Sequence, residues 1–157
     1  MALFDYLLRS KEKKDHVAIF LDSPNIIRKE FSVDLNRIME LARKRGKIRV
    51  AKAFLNQYAS EKLIEALANQ GFEPVVSISA DIDLDMAVEA MEAVHDPGID
   101  TIILVTRDSD YLPVMRKAKE YGKTTGVFAV NSAFSIALRN SADFVEILDA
   151  KDARSEI

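Results

Sequence analysis

Strand-length apolar runs alternate with helix-period segments between residues 16 and 148, and this alternation restricts the fold more than any other feature. The runs at 17–21, 48–55, 72–78, 101–106, 123–130 and 144–148 have the length and composition of buried strands. Residues 34–45, 60–71, 82–94, 111–121 and 134–139 repeat apolar side chains at helical spacing. Because such units are joined by right-handed crossovers, the sequence predicts an α/β fold with one parallel sheet covered on both faces.

The composition indicates a single cytoplasmic domain. The chain has 157 residues, of which 48% are apolar and 30% charged, which suits one hydrophobic core. The absence of cysteine excludes disulfides, thiolate metal sites and cysteine nucleophiles, and it fits a reducing compartment. No apolar run approaches the ~20 residues that span a bilayer. The first charges follow the apolar residues, unlike those of a signal peptide.

Three parts are expected along the chain. Residues 1–14 have the pattern of a short amphipathic helix followed by a charged stretch. Residues 15–150 would form the domain, and residues 151–157 a polar tail. The N-terminal helix would dock either on the domain or on a second copy of the chain, in which case it would mediate a homo-oligomer.

Polar residues collect where the predicted strands end. Ligands of open parallel sheets bind outside the carboxyl ends of the strands, at the point where the strand order reverses. The polar residues at this edge are, in chain order, Asp22, Asn25, Asp83, Asp108, Asp110, Asn131 and Ser132. The segment 22–25 fits a turn as well as a site. One aspartate is enough to cap the helix after residue 110, so the pair in that loop favours a site.

Asp83 is the most informative of these residues. It lies three and four residues before Met86 and Ala87, so it extends the buried face of its helix. A lone buried carboxylate is costly unless it is paired or bound to a cation. The alternative is an acid in the first helical turn that backbone amides satisfy. Three further acids of this helix fall on another face and predict a solvated charge stripe: Asp85, Glu89 and Glu92.

Four aspartates from three strand ends would repel one another without a counter-charge. Mg²⁺ or Mn²⁺ prefers oxygen ligands and would resolve this repulsion. Such an ion activates water and stabilises charge on a phosphodiester, and Asn25 would orient either group. Because the net charge is −3, any nucleic-acid contact must be local or run through the cation. The basic residues best placed for a phosphate backbone are Arg28, Lys29, Arg107 and Arg139.

Three ordered motifs resemble the NYN domain family of the PIN-like nuclease superfamily, LabA-like group. They are FLDSPN at 20–25, DIDLDMAVEAM at 81–91 and ILVTRDSDYLPV at 103–114. The resemblance covers about residues 15–150 and implies a PIN-like, Rossmann-like three-layer sandwich. The family commonly has a lysine shortly before the middle aspartate, where this chain has Ser79 and Ala80, and a glycine where it has Arg107. Arg107 would either replace the missing phosphate contact or restrict access.

The resemblance implies an endoribonuclease that cleaves RNA with Mg²⁺ or Mn²⁺. At the matching positions its metal-binding and catalytic residues would be Asp22, Asp83, Asp108 and Asp110, accompanied by Asn25. From their place at the sheet edge, Asn25, Arg107, Asn131 and Ser132 are expected to position the substrate. Two alternatives stay open. One is a non-catalytic RNA- or nucleotide-binding regulatory module that keeps the acidic pocket, and the other is a scaffold that dimerises through its N-terminal helix.

Overall fold

The computed structural model describes residues 2–4, 15–78, 81–130 and 134–149. Its six strands are β1 (His16–Asp22), β2 (Lys47–Leu55), β3 (Glu73–Val76), β4 (Thr101–Val105), β5 (Thr124–Ala129) and β6 (Phe144–Ile147). Its α-helices are α1 (Ser23–Ile26), α2 (Leu35–Arg43), α3 (Glu61–Asn69), α4 (Ile82–His95), α5 (Leu112–Glu120) and α6 (Ile136–Ser141). Two 3₁₀ turns, Lys29–Phe31 and Ser109–Tyr111, precede α2 and α5.

The six strands form one parallel sheet in the order β3-β2-β1-β4-β5-β6. The predicted α/β three-layer sandwich is therefore confirmed. The chain builds outward from β1 to β3, then crosses back to place β4 on the other side of β1. The strand order reverses between β1 and β4, so this pair marks the edge where the fold class binds ligands.

Alternate residues of β1 face two separate hydrophobic cores. Val17, Ile19 and Leu21 pack in the core covered by α2 and α3. Ala18 and Phe20 pack in the core covered by α4, α5 and α6. All five side chains are fully buried. A continuous apolar run is what a strand covered on both faces requires, which is why this segment could be read from the sequence.

Helix boundaries follow the expected capping residues. Asp34 accepts a hydrogen bond from the backbone N–H of Asn36 at 2.9 Å, and Ser60 accepts one from that of Leu63 at 3.1 Å. These bonds satisfy donors that a helix start leaves open. Helix α3 ends before Gly71, whose φ of 99° suits glycine. The short helix α1 was not predicted, because its four residues are too few to show a helical period.

Residues 2–4 are helical, with Leu3 and Phe4 exposed at 71% and 65%. The rest of the predicted leader, the tail 151–157, Asn131 and Ser132 lie outside the described residues. Docking or oligomerisation through the N-terminal helix therefore stays a prediction. Within the described ranges, no helix is both long and apolar enough to cross a membrane.

Candidate metal centre

Asp22 lies at the end of β1, at the switch point of the sheet. Its side chain is 1% exposed. Its Oδ2 accepts hydrogen bonds from Asn25 Nδ2 at 2.6 Å and from Thr106 Oγ1 at 3.0 Å. Helix α1 starts directly after Asp22 and has Pro24 in its first turn, which brings Asn25 back over the strand end. Thr106 follows β4, so these contacts join the two strands that flank the switch point.

The Asp22 carboxyl is a buried acid with incomplete compensation. Burial raises its pKa from an ordinary 3.8 to about 6. The hydrogen bonds from Asn25 and Thr106 lower this pKa, while the charges of Asp83 and Asp108 raise it. Asp22 therefore shares an electrostatic environment with the other acids of this edge. A bound cation would supply the missing positive charge.

Three aspartates converge beside it. Carboxylate oxygens of Asp83, Asp108 and Asp110 lie within 4.8 Å of one another. Asp83 belongs to the first turn of α4, and the other two belong to the loop after β4. Asp108 caps the 3₁₀ turn, because its Oδ1 accepts from the backbone N–H of Asp110 at 2.9 Å. Its own N–H donates to Thr106 Oγ1 at 3.2 Å, which anchors the loop to the strand end.

Tyr111 holds Asp83 in this cluster. Its hydroxyl donates to Asp83 Oδ1 at 3.0 Å, and its ring is buried in the core under α4 and α5. Burial raises the pKa of Asp83, and the charges of Asp108, Asp81 and Asp110 raise it further, whereas the Tyr111 hydrogen bond lowers it. The pKa of Tyr111 is raised, mainly because the residue is buried and secondly because of the charge of Asp22. The Tyr111 hydroxyl therefore keeps its proton.

Of the four aspartates that the sequence suggested as ligands, three meet around one point and Asp22 lies outside this trio. Its place as a fourth ligand stays a prediction. Asp83 takes the inward position expected of it, but its described partner is a tyrosine hydroxyl rather than backbone amides. Sequence reasoning missed both Thr106 and Tyr111. The signal for both was position, since one ends the buried run at β4 and the other follows the aspartate pair.

The expected solvated charge stripe on α4 is wrong for two of its three acids. Asp85 Oδ2 accepts from Ser77 Oγ at 2.6 Å, and Glu89 Oε2 accepts from Lys52 Nζ at 2.8 Å. Glu92 is exposed, as predicted. The two paired acids face side chains from β2 and from the end of β3. Helical spacing alone does not reveal partners from another element.

A polar cavity of about 340 Å³ adjoins the acidic residues. Its walls are Asn25, Arg107, Asp108, Ser109, Phe134 and Ser135. A larger apolar groove of about 550 Å³ lies on the outer face of α4, lined by Ala87, Val88, Met91, Glu92, His95 and Asp96. The polar cavity is the one next to the converging acids, and two residues predicted to position substrate, Asn25 and Arg107, line it.

The donor set fits a hard divalent cation. All three converging ligand atoms are carboxylate oxygens from separate residues, the donors that Mg²⁺ and Mn²⁺ prefer. No histidine or cysteine belongs to this cluster, so nothing in it selects zinc. Burial, and to a lesser extent the charges of neighbouring aspartates, raises the pKa values of Asp22 and Asp83, and a bound cation would stabilise their charged forms.

A parallel sheet with an acidic, oxygen-only cluster at its switch point is the arrangement expected of a PIN-like nuclease fold. The chain belongs to the NYN domain family, which matches it over residues 16–149. An uncharacterized protein of Methanocaldococcus jannaschii is 52% identical over 136 residues, 86% of this chain. This chain spans 56% of the length of that relative.

A solved structure shares the fold. The crystal structure of a protein of unknown function from Vibrio parahaemolyticus superposes with a TM-score of 0.76 at 24% sequence identity. The match covers 86% of this chain and 93% of the other. At 24% identity this similarity supports the fold and gives no evidence about the activity.

Proposed function

We propose that the chain is a divalent-metal-dependent ribonuclease that hydrolyses phosphodiester bonds of RNA. The observation that carries the proposal is the convergence of Asp83, Asp108 and Asp110 within 4.8 Å beside the buried Asp22. Membership of the NYN family supports nuclease chemistry. The choice of RNA as substrate, of Mg²⁺ or Mn²⁺ as cofactor and of a cytoplasmic location belongs to the same proposal.

Each residue has a proposed role. Asp83, Asp108 and Asp110 would hold the cation, with Asp22 as a fourth carboxylate facing it. A bound cation supplies Lewis-acid stabilisation of the phosphodiester and lowers the pKa of the attacking water. Both described hydrogen bonds of Asp22 fall on Oδ2, which leaves Oδ1 to accept a proton. Burial raises the pKa of Asp22 to about 6 in the metal-free chain, and a cation beside it would lower that pKa again.

Asn25 and Tyr111 would position these acids. Asn25 donates an amide hydrogen to Asp22 and also lines the polar cavity, so its side chain would contact both the acid and a ligand bound there. Tyr111 fixes the rotamer of Asp83 from inside the core. Asn131 and Ser132, which lie outside the described residues, keep their predicted role in positioning the substrate.

The test combines metal binding with cleavage of single-stranded RNA. We expect Mn²⁺ to bind and RNA to be cut in Mg²⁺ or Mn²⁺ but not in EDTA. Asp22→Asn and Asp108→Asn should each lower kcat at least about a hundredfold, a loss of about 2.7 kcal/mol in transition-state stabilisation. Glu92→Gln is the matched control, because it neutralises an exposed acid on α4 away from the cluster.

Each other outcome has a definite meaning. Metal binding without cleavage by the parent protein would favour the regulatory binding module over the enzyme. Cleavage that survives in both aspartate variants would come from a contaminant or from another site, and the proposal would fail. If neither metal nor RNA binds, the scaffold that dimerises through the N-terminal helix becomes the better account.

A further inference from the structure

One wall of the polar cavity beside the acidic cluster is a positively charged side chain, Arg107, which has no acidic partner among the described residues. Arg107 lies directly after Thr106 at the end of β4 and lines this cavity with Asp108. Its Nε is buried and has no hydrogen-bond partner among the described residues. No carboxylate of the described residues forms an ion pair with the Arg107 guanidinium. A buried donor left in this state is costly, so a ligand that supplies an acceptor would be favoured.

Phe31 holds this guanidinium in place. The Arg107 Cζ lies 5.2 Å from the centroid of the Phe31 ring, within the range of a cation–π contact. The same ring has Arg28 at 6.0 Å, but Arg28 pairs with Glu30 at 3.5 Å. The contact with Phe31 orients the planar guanidinium while leaving its N–H groups to donate. Among the described residues, Arg107 is thus a positioned cation whose Nε–H meets no acceptor.

The other walls of the cavity suit a nucleotide. Phe134 lines it and offers an aromatic ring, a platform on which bases of single-stranded nucleic acids stack. The volume of about 340 Å³ lies in the ~300–1,000 Å³ range of small-molecule sites. Ser135 Oγ accepts from the backbone N–H of Leu138 to cap α6, and Arg107 is the one basic side chain among the described residues that line the cavity.

We infer that this cavity binds the nucleotide next to the scissile bond of a single-stranded RNA. Arg107 takes the phosphate of that nucleotide, and Phe134 stacks on its base. Asp108 belongs both to the cavity wall and to the cluster proposed to hold the cation, so a strand bound here passes directly over the reacting centre. The inference rests on the proposed function for the identity of the ligand, and it can be tested without turnover.

The experiment measures binding of a fluorescein-labelled single-stranded RNA in the Asp22→Asn background at several salt concentrations. Arg107→Ala should raise Kd about tenfold, as expected for loss of a charge-assisted phosphate contact. It should also reduce the slope of log K against log salt by about 0.7, the value of one single-strand phosphate. Arg107→Lys should keep the slope but bind less tightly, because lysine lacks the planar fork.

The RNA-binding experiment needs two more variants, one that removes the Phe134 ring and one that removes an arginine far from the cavity. Phe134→Leu should raise Kd about fivefold or more with an unchanged salt slope, since stacking is lost but no charge is. Arg43→Ala is the matched control. Arg43 is exposed at the C-terminal end of α2, and this end lies at the edge of the sheet opposite the acidic cluster. Arg43→Ala should change neither quantity.

The inference fails if the background protein binds no RNA, if Arg107→Ala keeps both Kd and slope, or if Arg43→Ala causes an equal loss. Cleavage by the wild-type chain decides the proposed function separately. Cleavage with binding that ignores Arg107 would overturn the inference alone, whereas binding that depends on Arg107 without any cleavage would overturn the enzyme alone.

Discussion

The Tyr111 hydroxyl donates to Oδ1 of Asp83 at 3.0 Å, and this bond joins the 3₁₀ turn before α5 to the first turn of α4. The two residues come from separate crossovers of the sheet. Tyr111 is buried in the core, while Asp83 opens towards the acidic cluster. The bond therefore transmits the rigidity of the core to a carboxylate that the proposed function requires to be held in place.

Tyr111→Phe should separate this positioning role from folding. The ring still fills the core, so the chain should fold, with a loss of about 1–2 kcal/mol in unfolding free energy for one hydrogen bond to a carboxylate. The pKa of Asp83 should rise further without its donor, and Mn²⁺ affinity at pH 7 should fall several-fold because ligands must be deprotonated. Urea unfolding and Mn²⁺ titration measure the two effects.

Tyr58→Phe is the matched control for this substitution. Tyr58 is 84% exposed in the loop between β2 and α3, so its hydroxyl should matter to neither measurement. Equal Mn²⁺ affinities for Tyr111→Phe and the parent protein would show that the hydroxyl does not position a metal ligand.

Asp22 should destabilise the metal-free protein at neutral pH. Its pKa is about 6 in the folded chain against an ordinary 3.8, so the folded state holds this proton more tightly than the unfolded state. Its contribution to stability is full below about pH 4 and is lost as the pH rises through about 6. Asp22→Asn removes the charge and should raise the unfolding free energy at pH 7.5 by about 1–3 kcal/mol.

Urea unfolding in EDTA at pH 7.5 and at lower pH tests this prediction. The gain from Asp22→Asn should shrink as the pH is lowered towards 4, where the parent carboxyl is protonated in both states. A variant that is less stable than the parent at pH 7.5 would mean that the Asp22 charge is already compensated inside the protein. Such a result would also remove a main reason to place a cation there.

Metal binding should reverse the pH dependence of the stability of the folded chain. Cation binding to the folded state adds RT ln(1 + [L]/Kd), about 2.7 kcal/mol at a hundredfold excess over Kd. Because protons compete for the carboxylates, the rise in melting temperature caused by Mn²⁺ should be large at pH 7.5 and small at pH 5. Asp108→Asn should lose most of this shift, and Glu92→Gln should keep it. A shift that is equal at both pH values would argue against carboxylate ligands with raised pKa.

The sequence predicts the edge at which the site lies but not its internal contacts. Asp22 and Asp108 follow apolar runs, and parallel strands must end at a common edge, so their proximity could be inferred from order alone. The hydrogen bond of Thr106 to Asp22 depends on the register of β1 against β4, which no local pattern encodes. Pairing of this kind forms when distant segments pack, and one-dimensional periodicity has no information about it.

Asp85 illustrates the same limit and yields a further prediction. Asp85 is half-buried in the first turn of α4. Ser77, which follows β3 and is 3% exposed, donates a hydrogen bond to Asp85 Oδ2 at 2.6 Å. Ser77→Ala leaves this carboxylate without its donor and should cost about 1–3 kcal/mol of unfolding free energy. Because Asp83 lies two residues earlier in the same turn, Mn²⁺ affinity should fall as well.

A double-mutant cycle with Asp85→Ala isolates the Ser77–Asp85 bond from other effects of each substitution. If the bond carries the effect, the double variant should be more stable than the sum of the single losses implies, with a coupling of about 1 kcal/mol or more. Replacing both partners removes the unsatisfied carboxylate, which is the costly state. Additive losses would instead place the cost in packing around β3, and an unchanged Mn²⁺ affinity in Ser77→Ala would show that the turn carrying Asp83 stays in place without this bond.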